Sequence, residues 1–135
     1  MEFDASAFVA EPELVKALEK RSTPIPCEAD RVLFRQGDAP VRLYILHEGW
    51  VSLTMDSPGG KSIMSATAAP GSLLGLPGLI GNADYSLTAT AHTGAQVSFI
   101  DRDKFMDLMR SEPTISFRIL QVLAAEVRSA RLAIR

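Results

Sequence analysis

The chain has 135 residues, of which 47% are hydrophobic and 22% are charged, and its formal net charge at pH 7 is −2. This length and composition are typical of one compact domain with its own core, and they exclude a disordered chain. The charge is too close to neutral to support a nucleic-acid-binding surface, which is usually basic, so we predict a single domain over residues 1–135.

The first predicted element is a short amphipathic helix in the stretch EPELVKALEK, Glu11–Lys20. Leu14 and Leu18 recur at helical spacing, and the acidic residues come early in the stretch, where they favour a helix start. Pro24 follows and disfavours continuation of the helix. We therefore predict an N-terminal helical segment over residues 1–23.

Residues 24–101 predict an antiparallel jelly roll. Short stretches of alternating apolar residues recur there with Gly or Pro between them, a pattern typical of β-sandwiches and jelly rolls. The stretches VRLYILH and EGWVSLTM meet at Glu48-Gly49, and a connection this short predicts a tight hairpin. One stretch, LGLPGLIGNADYSLTA from Leu74 to Ala89, breaks the strand pattern with three glycines and a proline. This composition predicts a glycine-rich turn that opens a short helix.

Residues 102–135 predict two helices with a break at Pro113. The second helix contains no Gly or Pro, and its aliphatic residues recur at alternating steps of three and four, as in a coiled-coil seam. We predict a homodimer through this helix; the alternative is a helix that folds entirely onto its own domain. The arginines are dispersed around the helix with Glu126 among them, which indicates a solvated face. The predicted dimer-interface residues are Leu120, Leu123, Val127, Ala130 and Ile134.

Four stretches of sequence occur in a specific order: LFRQGDAPVRLYILHEGWVSL, PGSLLG, TATA and VSFIDRDKFMDLM, followed by the long helix. With this order the chain resembles the cyclic-nucleotide-binding domain of the catabolite activator and kinase regulatory-subunit superfamily, from about Pro24 to Arg135. The resemblance implies a mainly β fold with flanking helices, in which a jelly roll is followed by a long C-terminal helix. It also implies a non-enzymatic regulatory or sensor function.

In that family the ligand contacts a phosphate-binding cassette, which Leu74–Ala89 resembles. The resemblance implies a Glu directly after Gly75 for the ribose hydroxyl and an Arg late in the cassette for the cyclic phosphate. This chain has Leu76 and Tyr85 at those positions. A hydrogen bond to a charged group is worth ~1.5–3 kcal/mol, so losing both predicts roughly 10²- to 10⁴-fold weaker binding of cyclic AMP or cyclic GMP. The candidate ligand-binding residues are Gly75, Leu76, Gly78, Leu79, Tyr85 and Ser86.

Three interpretations of this cassette remain open. The first is a sensor whose binding of cyclic nucleotides is weak or lost, and whose apolar pocket suits an uncharged or aromatic ligand. The second is a working cyclic-nucleotide signalling domain, against which Asp84 adds a negative charge near the phosphate position. The third is a structural protein-interaction module in which the side chains of the cassette fill the pocket.

Residues suited to other chemistry are few. Cys27 is the single cysteine, so it forms no internal disulfide and completes no zinc or iron–sulfur site. His47 and His92 are the two histidines; both lie on predicted strands or strand ends, and their spacing does not indicate haem. The serines and Cys27 have no identifiable base beside them. We predict no enzyme, no catalytic residue, no metal and no cofactor.

The ends of the sequence carry the last predictions. The N-terminus is acidic and lacks the apolar segment of a signal peptide, and no uncharged apolar run approaches the ~20 residues that span a bilayer. We predict a cytoplasmic protein without membrane contact. No helix-turn-helix follows the long helix within this sequence, so we predict no nucleic-acid contact from it.

Overall fold

The computed structural model describes residues 5–133, with side chains described through Arg128. A 3₁₀ helix, Ala5–Phe8, and one α-helix come before the eight described strands. One helix lies between the strands, and two helices follow them. Within the described residues, no helix has the length and apolar character needed to cross a bilayer. The α-helices are α1 Pro12–Glu19, α2 Leu76–Gly81, α3 Arg102–Ser111 and α4 Pro113–Ala133.

The strands form two antiparallel sheets of four strands each, which confirms the predicted jelly-roll fold followed by a long C-terminal helix. The strands are β1 Thr23–Ile25, β2 Arg31–Phe34, β3 Arg42–Glu48, β4 Val51–Asp56, β5 Ser62–Ala68, β6 Leu73–Leu74, β7 Thr88–Ala91 and β8 Gln96–Asp101. The first sheet has the order β1-β8-β3-β6 and the second has the order β2-β7-β4-β5.

The burial patterns of β3 and β4 show how the two sheets differ. In β3, the four consecutive residues Leu43–Leu46 are all buried, because the sheet is covered on both faces and α2 and α3 pack against this strand. In β4, Val51 and Leu53 are buried while Ser52 and Thr54 are half-buried. Such alternation is typical of an antiparallel sheet with one face on the core and one face toward water.

The connection at Glu48-Gly49 is not a hairpin, and that prediction was wrong. β3 pairs with β6 and β8, whereas β4 pairs with β5 and β7, so the chain crosses between the two sheets at this point. Gly49 has a φ of +83°, and a Cβ there would lie 2.9 Å from the Cα of Ala95. A short glycine connection serves a hairpin and a crossing equally well. Which of the two forms depends on strand partners that are distant in sequence.

The sandwich begins with a short strand that the sequence analysis did not predict, because Pro24 was interpreted only as the end of the preceding helix. Thr23–Ile25 pairs with β8 alone and forms one edge of the first sheet. Proline has no N–H to donate and is tolerated on an edge strand, so Pro24 is compatible with this pairing. At the other end of the sandwich, α3 ends at Ser111 and α4 begins at Pro113, as the predicted break requires.

Helix α4 packs one side on the domain and leaves another side uncovered. Ile119 is fully buried, and the helix contacts α1, α3 and the 3₁₀ helix. Of the predicted interface residues, Leu120 and Val127 are 48% and 47% exposed, whereas Leu123 packs against the hydrophobic core. The side chain of Ala130 and all of Ile134 lie outside the described residues. Phe117, which the sequence analysis did not include, is 64% exposed.

Candidate ligand-binding site

The interruption of the strand pattern is the turn from β6 into α2. Gly75 adopts a φ of +98° at this turn, and Pro77 lies in the first turn of the helix, where its missing N–H costs no hydrogen bond. A Cβ on Gly75 would lie 2.9 Å from Cε1 of Tyr85 and 3.3 Å from the carbonyl oxygen of Arg42. Glycine is therefore needed here for its conformation and for the close packing of Tyr85.

A cavity of about 360 Å³ lies beside this turn. Its volume falls near the lower end of the range for small-molecule pockets, about 300–1,000 Å³. Its wall is mostly apolar and is built by the second sheet, the cassette and α4. The second sheet contributes Phe34, Leu53, Met55 and Met64, and Phe8 of the 3₁₀ helix lies on the same cavity. The side chains of the cassette therefore do not fill the pocket.

The structure places four of the six candidate ligand-binding residues on the cavity: Gly75, Gly78, Tyr85 and Ser86. Leu76 and Leu79 are fully buried in the hydrophobic core and are not among the residues that line the cavity. They are three residues apart on α2, so they share one face of the helix, and α2 packs against β3. That face points into the core, away from the cavity.

Tyr85 occupies the position at which the resemblance implies an arginine. Its ring stacks on Phe34, with centroids 4.1 Å apart and an angle of 23° between the ring planes. Its hydroxyl donates a hydrogen bond to the carbonyl oxygen of Arg42 at 2.6 Å and accepts one from the Arg42 amide N–H at 3.0 Å. Burial raises the pKa of this hydroxyl. Tyr85 is thus a fixed, neutral part of the wall.

The charges around the cavity differ from those that a cyclic phosphate needs. Asp84 is exposed next to Tyr85. No lysine or arginine is among the cavity-lining residues in the described part of the chain. Glu126 of α4 is the one acidic residue among those that line the described part of the cavity. The site therefore lacks a cation to balance a phosphate.

Glu126 is the one acidic residue among the described cavity-lining residues that the sequence analysis missed. It is only 6% exposed, and neither of its carboxylate oxygens has a hydrogen-bond partner among the described residues. Burial raises its pKa from the ordinary value of 4.5 to about 9. One signal was available: Ile119, Val122 and Glu126 follow at i, i+3 and i+7, which puts Glu126 on the buried side of the helix.

The histidines and Cys27 lie away from the cavity and are engaged elsewhere. His47 Nε2 is 2.7 Å from Oγ of Ser98, and His92 Nε2 is 2.7 Å from Oγ of Ser52. Burial raises the pKa of the Cys27 thiol. Across residues 5–133, no three His, Cys, Asp or Glu residues lie close enough together to hold a metal ion.

Comparison with known proteins identifies the family of this chain. A family model described as a cyclic nucleotide-binding domain matches residues 24–112. The chain belongs to the cyclic nucleotide-binding domain family. This confirms the resemblance drawn from the order of the four stretches and the long helix.

Two curated relatives of this chain are named for cyclic AMP. The chain is 27% identical over 118 residues to the CRP-like cAMP-activated global transcriptional regulator of Mycobacterium tuberculosis, covering 87% of this chain and 53% of that protein. It is 29% identical over 100 residues to the cyclic AMP receptor protein of Thermus thermophilus, covering 74% and 46% respectively. The chain spans about half the length of the curated relatives it matches.

A solved structure shares the fold. The crystal structure of the Thermus thermophilus catabolite activator protein superposes with a TM-score of 0.78 at 26% identity, covering 92% of this chain and 58% of that one. The sandwich-plus-helix architecture is therefore that of a catabolite-activator-type domain.

Proposed function

We propose that this chain is a non-enzymatic regulatory domain that senses a small molecule in the cavity, and that it binds cyclic AMP and cyclic GMP weakly or not at all. One observation carries the proposal: no lysine or arginine is among the residues that line the described part of the cavity. A cyclic phosphate is an anion, and moving it into an apolar site without a partner charge costs free energy. The cavity itself favours a sensor over a module with a filled pocket.

A route from ligand to output runs through α4. Glu126 and Val127 line the cavity, and Val127 also belongs to the uncovered side of the same helix. A ligand that contacts these residues stabilises one position of α4 over others, and the population of that position rises with ligand concentration. The ligand is thereby linked to whatever the uncovered side contacts.

We propose that the uncovered side of α4 contacts a second copy of the chain. Its exposed apolar residues recur at steps of three and four, which is the spacing of a coiled-coil seam. Leu123 packs on the core, so this seam differs from the predicted one. Its described members are Phe117, Leu120, Ala124 and Val127.

The proposal includes a cytoplasmic location, supported by relatives that are named as transcriptional regulators. It also includes the absence of nucleic-acid contact from the described residues. Arg110 pairs with Asp107 at 3.2 Å, and Arg118 pairs with Glu13 at 3.2 Å. Paired arginines dispersed over different elements do not form the basic patch that nucleic acid requires.

Isothermal titration with cyclic AMP and cyclic GMP, each raised to millimolar concentration, tests this function. We expect no saturable heat in the micromolar range. Micromolar binding of either nucleotide would overturn the proposal, because it would show that backbone amides and hydroxyls replace the missing charges.

A variant that adds a cation to the cavity wall tests whether the phosphate of a cyclic nucleotide would bind in this cavity. Ser86 is exposed and lines the cavity, so Ser86→Arg adds a guanidinium there and leaves the stacking of Tyr85 on Phe34 intact. A hydrogen bond to a charged group is worth ~1.5–3 kcal/mol, which predicts roughly 10- to 100-fold tighter nucleotide binding than in the unmodified chain. Ser86→Gln is the matched control, since it adds length without charge. Equal affinities for the two variants would argue against a phosphate position beside Ser86.

A further inference from the structure

Aromatic and sulfur-containing side chains form much of the wall of the cavity. Phe34 of the second sheet and Tyr85 of the cassette stack on each other, and both line the cavity. Met55 and Met64 also line it and lie opposite each other on the neighbouring strands β4 and β5. An aromatic ring is attracted to other rings and to thioether sulfur, beyond what the burial of its surface contributes. The wall is therefore suited to an aromatic ligand.

No side chain on the described part of this wall offers a charge to a ligand. The hydroxyl of Tyr85 is already bonded to the backbone of Arg42. Glu126 lies on the cavity, but both of its carboxylate oxygens are fully buried, so they present no surface to a molecule inside it. Moving an ion into an apolar site without a partner charge costs free energy. The part of a ligand that enters the cavity must therefore be neutral.

The volume of the cavity sets the size of the ligand. An apolar cavity of ~150 Å³ holds one benzene ring, and the volume here, about 360 Å³, is roughly twice as large. Pro77 and Ser86 are exposed and also line the cavity, so it opens to solvent beside them. A ligand of two fused rings fills the interior, and a hydroxyl group on those rings can stay at the opening, where water and Ser86 are hydrogen-bond partners.

We propose that the cavity binds a neutral aromatic ligand of two fused rings, and that a charged group on those rings prevents binding. This inference rests on the proposed function, because it assigns the ligand class of the same sensor site. The aromatic and thioether wall selects the rings, the lack of an accessible charge selects neutrality, and the volume selects the size. Val127 of α4 lines the same cavity, so the ligand contacts the helix that carries the proposed output.

The first probe is 2-naphthol, because it has two fused aromatic rings and is neutral at pH 7. Phenol has the same hydroxyl group on one ring, and 2-naphthoate has the same two rings with a negative charge. In calorimetric titrations at pH 7, we expect 2-naphthol to bind at least about tenfold more tightly than phenol, because the second ring buries more apolar surface. We expect no saturable binding of 2-naphthoate. Equal binding of 2-naphthol and 2-naphthoate would overturn the neutral class, and equal binding of 2-naphthol and phenol would overturn the size.

Decahydro-2-naphthol separates an aromatic ligand from one that is only apolar. It keeps the hydroxyl group and the two fused rings but has no π system. We expect it to bind more weakly than 2-naphthol, since it loses the ring–ring and sulfur–ring attraction. Binding as tight as that of 2-naphthol would overturn the aromatic part of the proposal.

The methionine methyl groups report where 2-naphthol binds. Met55 and Met64 line the cavity, whereas Met106 and Met109 of α3 pack against the core and are not among the lining residues. The NMR signals of isotope-labelled methionine methyl groups therefore give reporters at the site and controls in the same molecule. We expect 2-naphthol, through the ring current of its aromatic system, to move the signals of Met55 and Met64 and to leave the other two in place. Movement of all four signals, or of none at saturation, would contradict binding in this cavity.

A pair of tryptophan variants on β5 separates the cavity from the outer face of the sheet. Met64 lines the cavity, and Ile63, the residue before it, is 42% exposed and is not among the lining residues. Met64→Trp fills part of the cavity, so we expect it to weaken 2-naphthol at least about tenfold. Ile63→Trp adds the same side chain to the opposite face and should bind 2-naphthol as the unmodified chain does. Unchanged binding by a folded Met64→Trp would overturn the site, and if that variant does not fold, the methionine signals of the unmodified chain decide the location.

The two proposals fail in different ways. If neither 2-naphthol nor a cyclic nucleotide binds, the ligand class is wrong, while the loss of cyclic-nucleotide binding is upheld. If a cyclic nucleotide binds in the micromolar range, the proposed function fails first and the neutral ligand class fails with it. Binding of 2-naphthol that moves the signals of Met55 and Met64, with no nucleotide binding, supports both.

Discussion

Glu126 and Tyr85 define the candidate site at the scale of single residues. Tyr85 was singled out from the sequence, because it stands where the family resemblance implies a charged partner for a phosphate. Glu126 was placed on a solvated face, because charged residues on a helix usually lie there. The structure buries it instead, since it continues the side of α4 that carries Ile119. One residue on the buried face of a helix thus places a buried carboxyl group beside the cavity.

The buried carboxyl group predicts a pH-dependent stability. The pKa of Glu126 is about 9 in the folded chain and has an ordinary value of 4.5. Below pH 4.5 the carboxyl group is protonated in both the folded and the unfolded chain, so its ionisation does not lower the free energy of unfolding. As the pH rises toward 9, the unfolded chain loses the proton while the folded chain keeps it. The free energy of unfolding then falls by up to about 1.4 kcal/mol per pH unit.

Glu126→Gln removes this titration. We expect urea unfolding at pH 5, 6.5 and 8 to show a variant whose stability relative to the unmodified chain increases with pH. Asp84→Asn removes an exposed carboxylate and should give a constant difference across the same range. Parallel pH profiles for Glu126→Gln and the unmodified chain would show that the carboxyl group is not buried in solution.

Helix α4 and the cassette helix α2 show what periodicity reveals at the scale of elements. Periodicity predicted both the existence of α4 and its start near Pro113. It did not choose between two apolar stripes, because Leu123 belongs to the core side and Phe117 to the uncovered side. In α2, Leu76 turns toward the core, although the resemblance places a ligand-binding residue there. The neighbours of each helix decided which stripe was covered.

The dimer proposal predicts the effect of a charge on the uncovered stripe of α4. Leu120→Glu places a carboxylate in the seam, and burying an unpaired charge costs several kcal/mol. We expect the dimer dissociation constant to rise ~100-fold or more, measured by sedimentation velocity over a range of concentrations. Gln121→Glu is the control, because it adds the same charge at an exposed position on the same helix beside the stripe. A sedimentation profile that Leu120→Glu leaves unchanged would count against this seam.

The two sheets and the crossing between them belong to the scale of the whole molecule. The first sheet joins β3 to β6 and β8, and the second joins β4 to β5 and β7. The connection at Gly49 therefore links the sheets and also packs against Ala95, just before β8. This contact exists only when both sheets are in place.

Two glycine variants isolate the crossing. Gly49 and Gly60 both have a φ of +83°, but a Cβ at Gly49 meets Ala95 at 2.9 Å and a Cβ at Gly60 meets nothing within 4 Å. Gly60→Ala should cost only the left-handed backbone penalty, about 1–2 kcal/mol. Gly49→Ala should cost ~1–3 kcal/mol more, because the added methyl group also overpacks the crossing. Thermal and urea unfolding measure both, and equal losses would show that the crossing tolerates a methyl group.

The sequence by itself determined the elements that local patterns encode: the alternating strands, the glycine-rich cassette between Leu74 and Ala89, and the long helix after Pro113. These elements follow from backbone geometry, which repeats every few residues and is readable within one stretch, and they determined the fold class. The family resemblance then indicated six candidate site residues, of which Gly75, Gly78, Tyr85 and Ser86 line the cavity while Leu76 and Leu79 lie in the core.

Only the tertiary structure decided which faces meet. It placed β3 and β4 in different sheets, turned Leu76 into the core, and brought Glu126 into the cavity opposite the cassette. A periodic pattern shows that one side of an element is apolar, but the burial of each side chain depends on neighbours that are distant in sequence. For that reason, the presence of a buried glutamate at the candidate site emerged only from the packing of α4 over the sandwich.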